Sequence, residues 1–580
     1  MANELLAWVQ QDHEVLAIDL ETTGLDFRDD DAAIRLAQIG SYDQGWAIPW
    51  EHWSGVFLEV LEAWNGPLVG QNIIDFDAAW LKFFTGWEPP YDRLHDTLIM
   101  AQLCEPHLPA GLKAVGDRHI DRRASSGQKL LDQAMKLNDW TWDTVPVDLQ
   151  VYWMYGCIDT VLTAHVFRHY RADLKYPEAY ALEMSARRVV TEMKANGIRI
   201  DMEYCEQQMK KLHDYAEESK QWGIDNWGVN ILSNVQVIDL FQNRLKAPIT
   251  RVTNSGGPSV DKIQREKFLE SEDPQVRQAA QFITDVKNAQ KKADSYFKNF
   301  LTYQHDGILH ADFKTLAART GRMSTTRPAL QTIGKEDTVL RDAFLPHEGQ
   351  VLLSCDYSQI ELRLMCHFSD DQALAEAFRT ADATGGDFFV QMGRDIYKDE
   401  TFHKKDPRRN LIKNFMYSYL YGAGLNKMAA TAGVSPEEMR SFVTALAETY
   451  PGIPEFQKRV IQTGDQRERS EGQGYIITPF NRRIPCDEGQ SRTLVNYLLQ
   501  GHAAEILKDA LVKMDAAGLT QYLLLPIHDE VIASVPPDEY EEIAQEIGEL
   551  MTVRGKYAVD LIAEAEGPFQ RWGDKIRIAA

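Results

Sequence analysis

The chain has 580 residues, 44% apolar and 10% aromatic, which allows three to five packed units and excludes a disordered protein. Its 62 basic and 86 acidic residues give a formal charge of −24, which excludes a protein that coats nucleic acid by bulk charge but not one that binds it in a local basic cleft. Six scattered cysteines without a Cys-x-x-Cys pair fit reduced thiols rather than a disulfide frame or zinc site, and no apolar run reaches the roughly 18 residues of a membrane span.

Residues 1 to about 180 alternate strand-like and helix-like pieces, the pattern of an α/β unit. His13 to Leu20 reads as a buried strand, and Ala32 to Ile48 as further strands paired with it. Asp19 and Glu21 lie two residues apart, so both carboxylates face one side of the extended segment. Asn72-x-x-x-Phe76-Asp77 follows, and then Tyr155-x-x-x-Asp159, whose two side chains share a face if the segment is helical. Hard divalent cations prefer such carboxylate oxygens. From about 181 to 310 the sequence reads as helical and charged, broken by the turn-rich stretch from Thr253 to Ser259.

From about 311 onward, strand-like segments flank a long helical insert between roughly 372 and 484. The apolar run from Val351 ends at Asp356, and a helical pattern begins just after it. Far downstream, Tyr522 to Ile527 leads into His528-Asp529-Glu530 and another apolar run. Two acids at strand ends, from distant parts of the chain, are what a two-metal phosphoryl-transfer site needs. Glu530, adjacent to Asp529 on a strand, should point the other way.

Between these acids Asp406 suits an N-cap with Pro407 at the first helical position. Arg409, Lys413, Tyr417 and Tyr421 then recur every four residues, forming one oblique stripe roughly 18 Å long. Two cations followed by two aromatics match a nucleoside triphosphate lengthwise. Arg492, Asn496 and Gln500 share another helical face.

The segments Asp356-Tyr357-Ser358-Gln359-Ile360-Glu361-Leu362-Arg363, His528-Asp529-Glu530-Val531 and Arg409-x-x-x-Lys413-x-x-x-Tyr417-x-x-x-Tyr421-Gly422 resemble the palm and fingers motifs of family A DNA polymerases. The amino-terminal set, Asp-x-Glu, Asn-x-x-x-Phe-Asp and Tyr-x-x-x-Asp, resembles 3′–5′ exonucleases of ribonuclease-H-like fold. The resemblance implies a multidomain chain of α/β and α+β class: an exonuclease domain (1–180), thumb and connecting helices (181–310), the first part of a palm (311–371), fingers (372–484) and the second part of the palm (485–580). It implies that Asp356 and Asp529 hold the metals for nucleotide addition. Asp19, Glu21, Asp77 and Asp159 would hold those for proofreading, with Tyr155 orienting the attacking water; the family's aromatic-then-acid pattern favours Asp77 over Asp75. Arg409, Lys413, Tyr417, Tyr421 and Glu361 bind the nucleotide, Glu361 excluding a ribose 2′-hydroxyl together with Tyr421. Tyr417, where relatives carry Phe or Tyr, would tolerate dideoxynucleotides.

Arg322, within Thr320-Gly321-Arg322-Met323-Ser324, and Arg492, Asn496, Gln500 and His528 are implied contacts to DNA, where minor-groove donors test pair geometry without reading sequence. Thr332 stands where relatives often have Asn. The resemblance further implies two Mg2+ per site, replaceable by Mn2+. Its implied partners are primer–template DNA, dNTPs, a single-stranded DNA 3′ end in the exonuclease site, and a replisome helicase and single-strand-binding protein. A monomer without membrane contact, in the cytoplasm of a bacterium or a phage-infected cell, completes the expectation. A single-subunit RNA polymerase is opposed by Glu361 and the exonuclease set; a DNA-binding protein limited to nuclease trimming is opposed by Asp356, Lys413 and Asp529.

Overall fold

Strand β1 (Leu16–Thr22) forms where the apolar run was read, and all but Asp19 of its seven residues are buried. The computed structural model describes residues 2–174, 177–253, 255–420 and 422–579. β1 is the centre of a five-stranded sheet with β2 (Ile34–Gly40), β3 (Gly45–Pro49), β4 (Leu68–Gly70) and β5 (Leu94–Asp96), in the order β3-β2-β1-β4-β5. β1, β2 and β3 pair antiparallel through short connections, whereas β4 and β5 run parallel to β1. Helices α1 (Asp77–Thr85), α2 (Leu112–His119) and α3 (Gln150–Asp173) belong to the same unit, whose own core gathers Val15, Leu16, Ile39, Phe57, Val69 and Phe167.

Helix α4 (Pro177–Asn196) leads out of this unit. Its Glu183 pairs with Lys508 on α5 (Thr493–Ala516); both side chains are almost wholly buried, and Arg482 lies 3.6 Å from the same carboxylate. Burial lowers the Lys508 pKa to about 8 although Glu183 pulls it up. Burying two charges is costly, but removing one partner costs more, because the other is left uncompensated. The pair therefore fastens the amino-terminal unit to the carboxy-terminal one.

The stretch read as helical from 181 to 310 is mostly so, with Met202–Trp227 and Pro274–Lys291 its longest following helices. It also contains three short strands, Ile198–Ile200, Gln304–His305 and Ile308–Leu309, the last pairing antiparallel with both of the others. In the carboxy-terminal unit β6 (Val351–Tyr357) is followed by the helix Ile360–Ser369, and β7 (Leu523–Ile527) by β8 (Glu530–Val535) and β9 (Ala563–Phe569). All pair antiparallel in the order β7-β8-β6-β9. The helical insert includes Phe388–Tyr397 and Pro407–Leu420. At the chain's end Trp572, 1% exposed, packs edge-on against Phe344 and pins the terminal helix Asp574–Ala579 beside β9.

Candidate active sites

Asp19 and Glu21 project from one side of β1, Asp77 opens α1, and Tyr155 and Asp159 lie one turn apart on α3. Close approach of α3 to the sheet brings these elements together. A Cβ on Gly156 would stand 2.3 Å from Gln38 on β2, and one on Gly40 would stand 2.4 Å from Thr160 on α3. Only glycine permits this seating. Asp75, the alternative to Asp77, turns instead toward Arg187 at 4.0 Å and Thr191.

The cleft is electrostatically tense. Burial raises the Asp19 pKa to about 7, against the pull of Lys113. Burial, then repulsion from Asp19 and Asp77, pushes Glu21 well up; burial and Asp19 do the same to Asp77. Lys113, from α2, ion-pairs with Asp159, and its Nζ lies 4.8 Å from the Tyr155 ring centroid. Burial lowers its pKa to about 8, while Asp19 and Glu21 act in the opposite sense. Asp19, Glu21, Lys113, Tyr155 and Asp159 line one cavity of about 330 Å3.

In the carboxy-terminal sheet Asp356 and Asp529 become neighbours. Asp356 is the penultimate residue of β6, opposite Glu530 of β8, and the Tyr357 amide donates to the Asp529 carbonyl at 3.2 Å. Burial and then Asp529 raise the Asp356 pKa to about 7, with Glu530 adding to the rise and Lys335 and Lys575 opposing it. His528, at φ +57°, and Asp529 form the two-residue turn between β7 and β8.

That turn removes the ground on which Glu530 was expected to point away from Asp529. Strand alternation does not apply across Asp529, because the strand begins at Glu530, and the register puts Glu530 on the face of Asp356. Its carboxylate is tied down instead: Ser354 Oγ donates to Oε1 at 2.5 Å, and Lys575 Nζ lies 3.1 Å from Oε1.

Asp406 accepts from the Arg408 amide at 2.9 Å at the start of the helix Pro407–Leu420, as the capping pattern requires. Arg409 ion-pairs with Asp387, which also caps Phe388–Tyr397 through the Val390 amide. Lys413 is exposed, and Tyr417 is half-buried with Phe389 6.4 Å away. Tyr421, expected to close with Glu361, lies outside the described residues. Glu361 ion-pairs with Arg322.

Loss of hydration, and then the charge of Arg322, lower the pKa of His528 on that turn. Arg492 stands at the start of α5, with Asn496 and Gln500 one and two turns along. A side chain at Gly422 would come within 3.7 Å of the Arg492 carbonyl, so the cation–aromatic helix ends beside this row. Thr332 shares a hydrogen bond with Tyr296 at 3.0 Å.

The donor set fits divalent cations. Glu21 Oε1, Asp77 Oδ1 and Asp356 Oδ1 are buried without a hydrogen-bond donor, although buried polar atoms ordinarily find one. Among the described residues no three His, Cys, Asp or Glu side chains enclose a cation by themselves. Mg2+ commonly takes one or two carboxylates and completes its shell with phosphate oxygens and water, so the substrate would close each site. Lys113, Asp387 and Lys575 were missed in the sequence. The only local trace is Gly111 before the helix that starts with Leu112-Lys113.

Comparison with known proteins agrees with this geometry. The family model described as DNA polymerase family A matches residues 202–574. The DNA polymerase of Mycobacterium phage D29 is 27% identical over 567 residues, covering 94% of this chain and 91% of that protein. That of Mycobacterium phage L5 is 28% identical, covering 92% and 89%. DNA polymerase I of Borreliella burgdorferi is 25% identical across 96% of this chain but 62% of its own length. The fold matches the POL domain of Pol1 from M. smegmatis, solved in complex with DNA primer–template and dNTP, at a TM-score of 0.79 and 22% identity, covering 99% of this chain and 98% of that one. No helix among the described residues is long and apolar enough to cross a membrane. With the family model covering well over half of its length, and the paired acids of β6 and the β7–β8 turn inside that match, the chain belongs to DNA polymerase family A.

Proposed function

We propose that the protein copies a DNA template by adding deoxynucleotides to a primer 3′-OH, and that its amino-terminal cleft removes misincorporated nucleotides by 3′–5′ exonuclease action, in phage DNA replication. The observation that carries the reading is the convergence of Asp356 and Asp529, from distant parts of the chain, at one end of one sheet. Two Mg2+ ions held there, or Mn2+ in their place, would lower the pKa of the primer hydroxyl and stabilise charge on the transferring phosphate. Arg409 exchanges Asp387 for the triphosphate, Lys413 joins it, and Tyr417 and Tyr421 take the sugar and base. Glu361 limits the 2′ position, and the Tyr417 hydroxyl stands in for a missing 3′-OH. Arg322, Arg492, Asn496, Gln500 and His528 steady the primer–template.

In the amino-terminal cleft Asp19, Glu21, Asp77 and Asp159 are the proposed ligands, and Tyr155 orients water against a single-stranded 3′ end. The β3-β2-β1-β4-β5 sheet with Asp19 and Glu21 on its central strand supports a ribonuclease-H-like reading. The proposed division is exonuclease 1–180, thumb 181–310, palm 311–371 and 485–580, and fingers 372–484. The enzyme acts as a monomer in the cytoplasm of the infected cell, beside a helicase and a single-strand-binding protein. A primer-extension gel tests both halves. Asp529→Ala should abolish extension and keep trimming, and Asp19→Ala should do the reverse; loss of both activities in either variant would defeat the two-site reading.

A further inference from the structure

Among the described residues that line this cleft, Lys113 is the one cation, beside the carboxylates of Asp19, Glu21 and Asp159 and the Tyr155 ring. A lysine near a helix start ordinarily snorkels to solvent. This one turns inward: its side chain is 22% exposed, it is paired with Asp159, and it stands over the Tyr155 ring. Asp19 and Glu21 both feel its charge.

We propose that Lys113 is a built-in cation of the proofreading cleft, holding Asp159 before divalent cations bind and then turning to the phosphate being cut. The inference rests on the exonuclease reading above. Charge balance supports it. Four ionised carboxylates cancel two divalent cations, which leaves the phosphodiester and the attacking hydroxide uncompensated unless the protein supplies a positive charge. Lys113 has four rotatable side-chain bonds and needs only to release Asp159 to face the cavity's interior.

In the step itself the water oxygen bonds to phosphorus as its proton passes to solvent. The bond from phosphorus to the 3′ oxygen breaks, that oxygen takes a proton from solvent, and a nucleoside 5′-monophosphate leaves. Lys113 stays protonated throughout, donating hydrogen bonds to the non-bridging oxygens as their charge grows.

Opposite effects on two readouts follow for Lys113→Met. With a competing cation gone, Mn2+ should bind the full-length protein about tenfold more tightly by paramagnetic resonance titration, while trimming of a single-stranded DNA at saturating metal slows about a hundredfold. Lys113→Arg, which keeps the charge, should recover most of the trimming rate. Primer extension by the same preparation reports that the variant folds. Unchanged or weaker Mn2+ binding, or an unchanged trimming rate, would overturn the role given to Lys113. A wild-type protein that trims nothing would instead sink the exonuclease reading, and the Mn2+ titration would still judge the competition with Asp159.

Discussion

The two carboxylate sites handle the same electrostatic problem in different ways. In the amino-terminal cleft the acids come from three separate elements, and a lysine sits among them, paired with one of the proposed ligands. In the carboxy-terminal site the two acids come from adjacent antiparallel strands and their turn, and Lys575 stands to one side, holding Glu530, Ser354 and Glu566 rather than a proposed ligand. One site places its compensating charge inside; the other places it behind. The first is poised to exchange a protein cation for metal, and the second to keep a third carboxylate out of the way.

The sharpest way to break the comparison is to remove one acid at a time. Asp529→Ala should lower primer extension on the order of a thousandfold or more and leave trimming within about twofold; Asp19→Ala should mirror it. If either substitution silences both reactions, the two sites are not independent. Next in size is the joint between the units. Glu183→Ala leaves Lys508 buried and unpaired, and should destabilise the protein by about 3–5 kcal/mol in denaturant unfolding, shifting the unfolding of both units. Unfolding of one unit alone would show that the pair does not couple them.

A smaller effect probes the charge placed behind the strands. Lys575→Met leaves Glu530 on the face of Asp356 with Ser354 as its hydrogen-bond donor among the described residues. Extension should fall about tenfold, with a raised Mg2+ requirement and unchanged trimming. Lys575→Arg should restore it. An unchanged Mg2+ requirement would mean that Ser354 alone positions Glu530.

The difference between the sites also explains what could be read from the sequence. Asp19, Glu21, Tyr155 and Asp159 were legible because period-two and period-four spacing fixes their relative directions once the element type is known. Asp356 was legible because an apolar run ended at it. For Glu530 the alternation argument has no footing, because the strand begins at Glu530 and Asp529 belongs to the turn before it. Lys575 and Asp387 carry no local signal, and Lys113 carries only the Gly111 before its helix. Each acts through a contact made only when distant segments fold together, and a single lysine in a helical stretch looks like any solvated one. The Arg409 to Tyr417 stripe was legible as a face, but its resting partner, Asp387, was not.

The smallest effect is on stability without metal, and it asks whether the two sites carry equal strain. Asp19 and Asp356 each have a folded-state pKa of about 7, above the ordinary 3.8. A group raised in this way gives stability that is complete below the unfolded pKa and lost as pH rises through the folded one. In EDTA, stability should therefore decline between pH 5 and 7, by on the order of 1 kcal/mol per site after allowance for solvent screening. Lys113, with its pKa lowered to about 8, is charged in both states across that window and does not mask the trend. Buried histidines do act against it: His310, held near 4 by burial, takes up its proton more readily when unfolded. The comparison must then be of Asp19→Asn and Asp356→Asn against the parent by thermal unfolding. Each should flatten the decline, and by a similar amount, because burial is the largest cause of the rise at both and lysines oppose it at both, Lys113 at Asp19 and Lys335 and Lys575 at Asp356. Unequal flattening would mean that the ammonium inside the first cleft and those set behind the second do not compensate their acids alike.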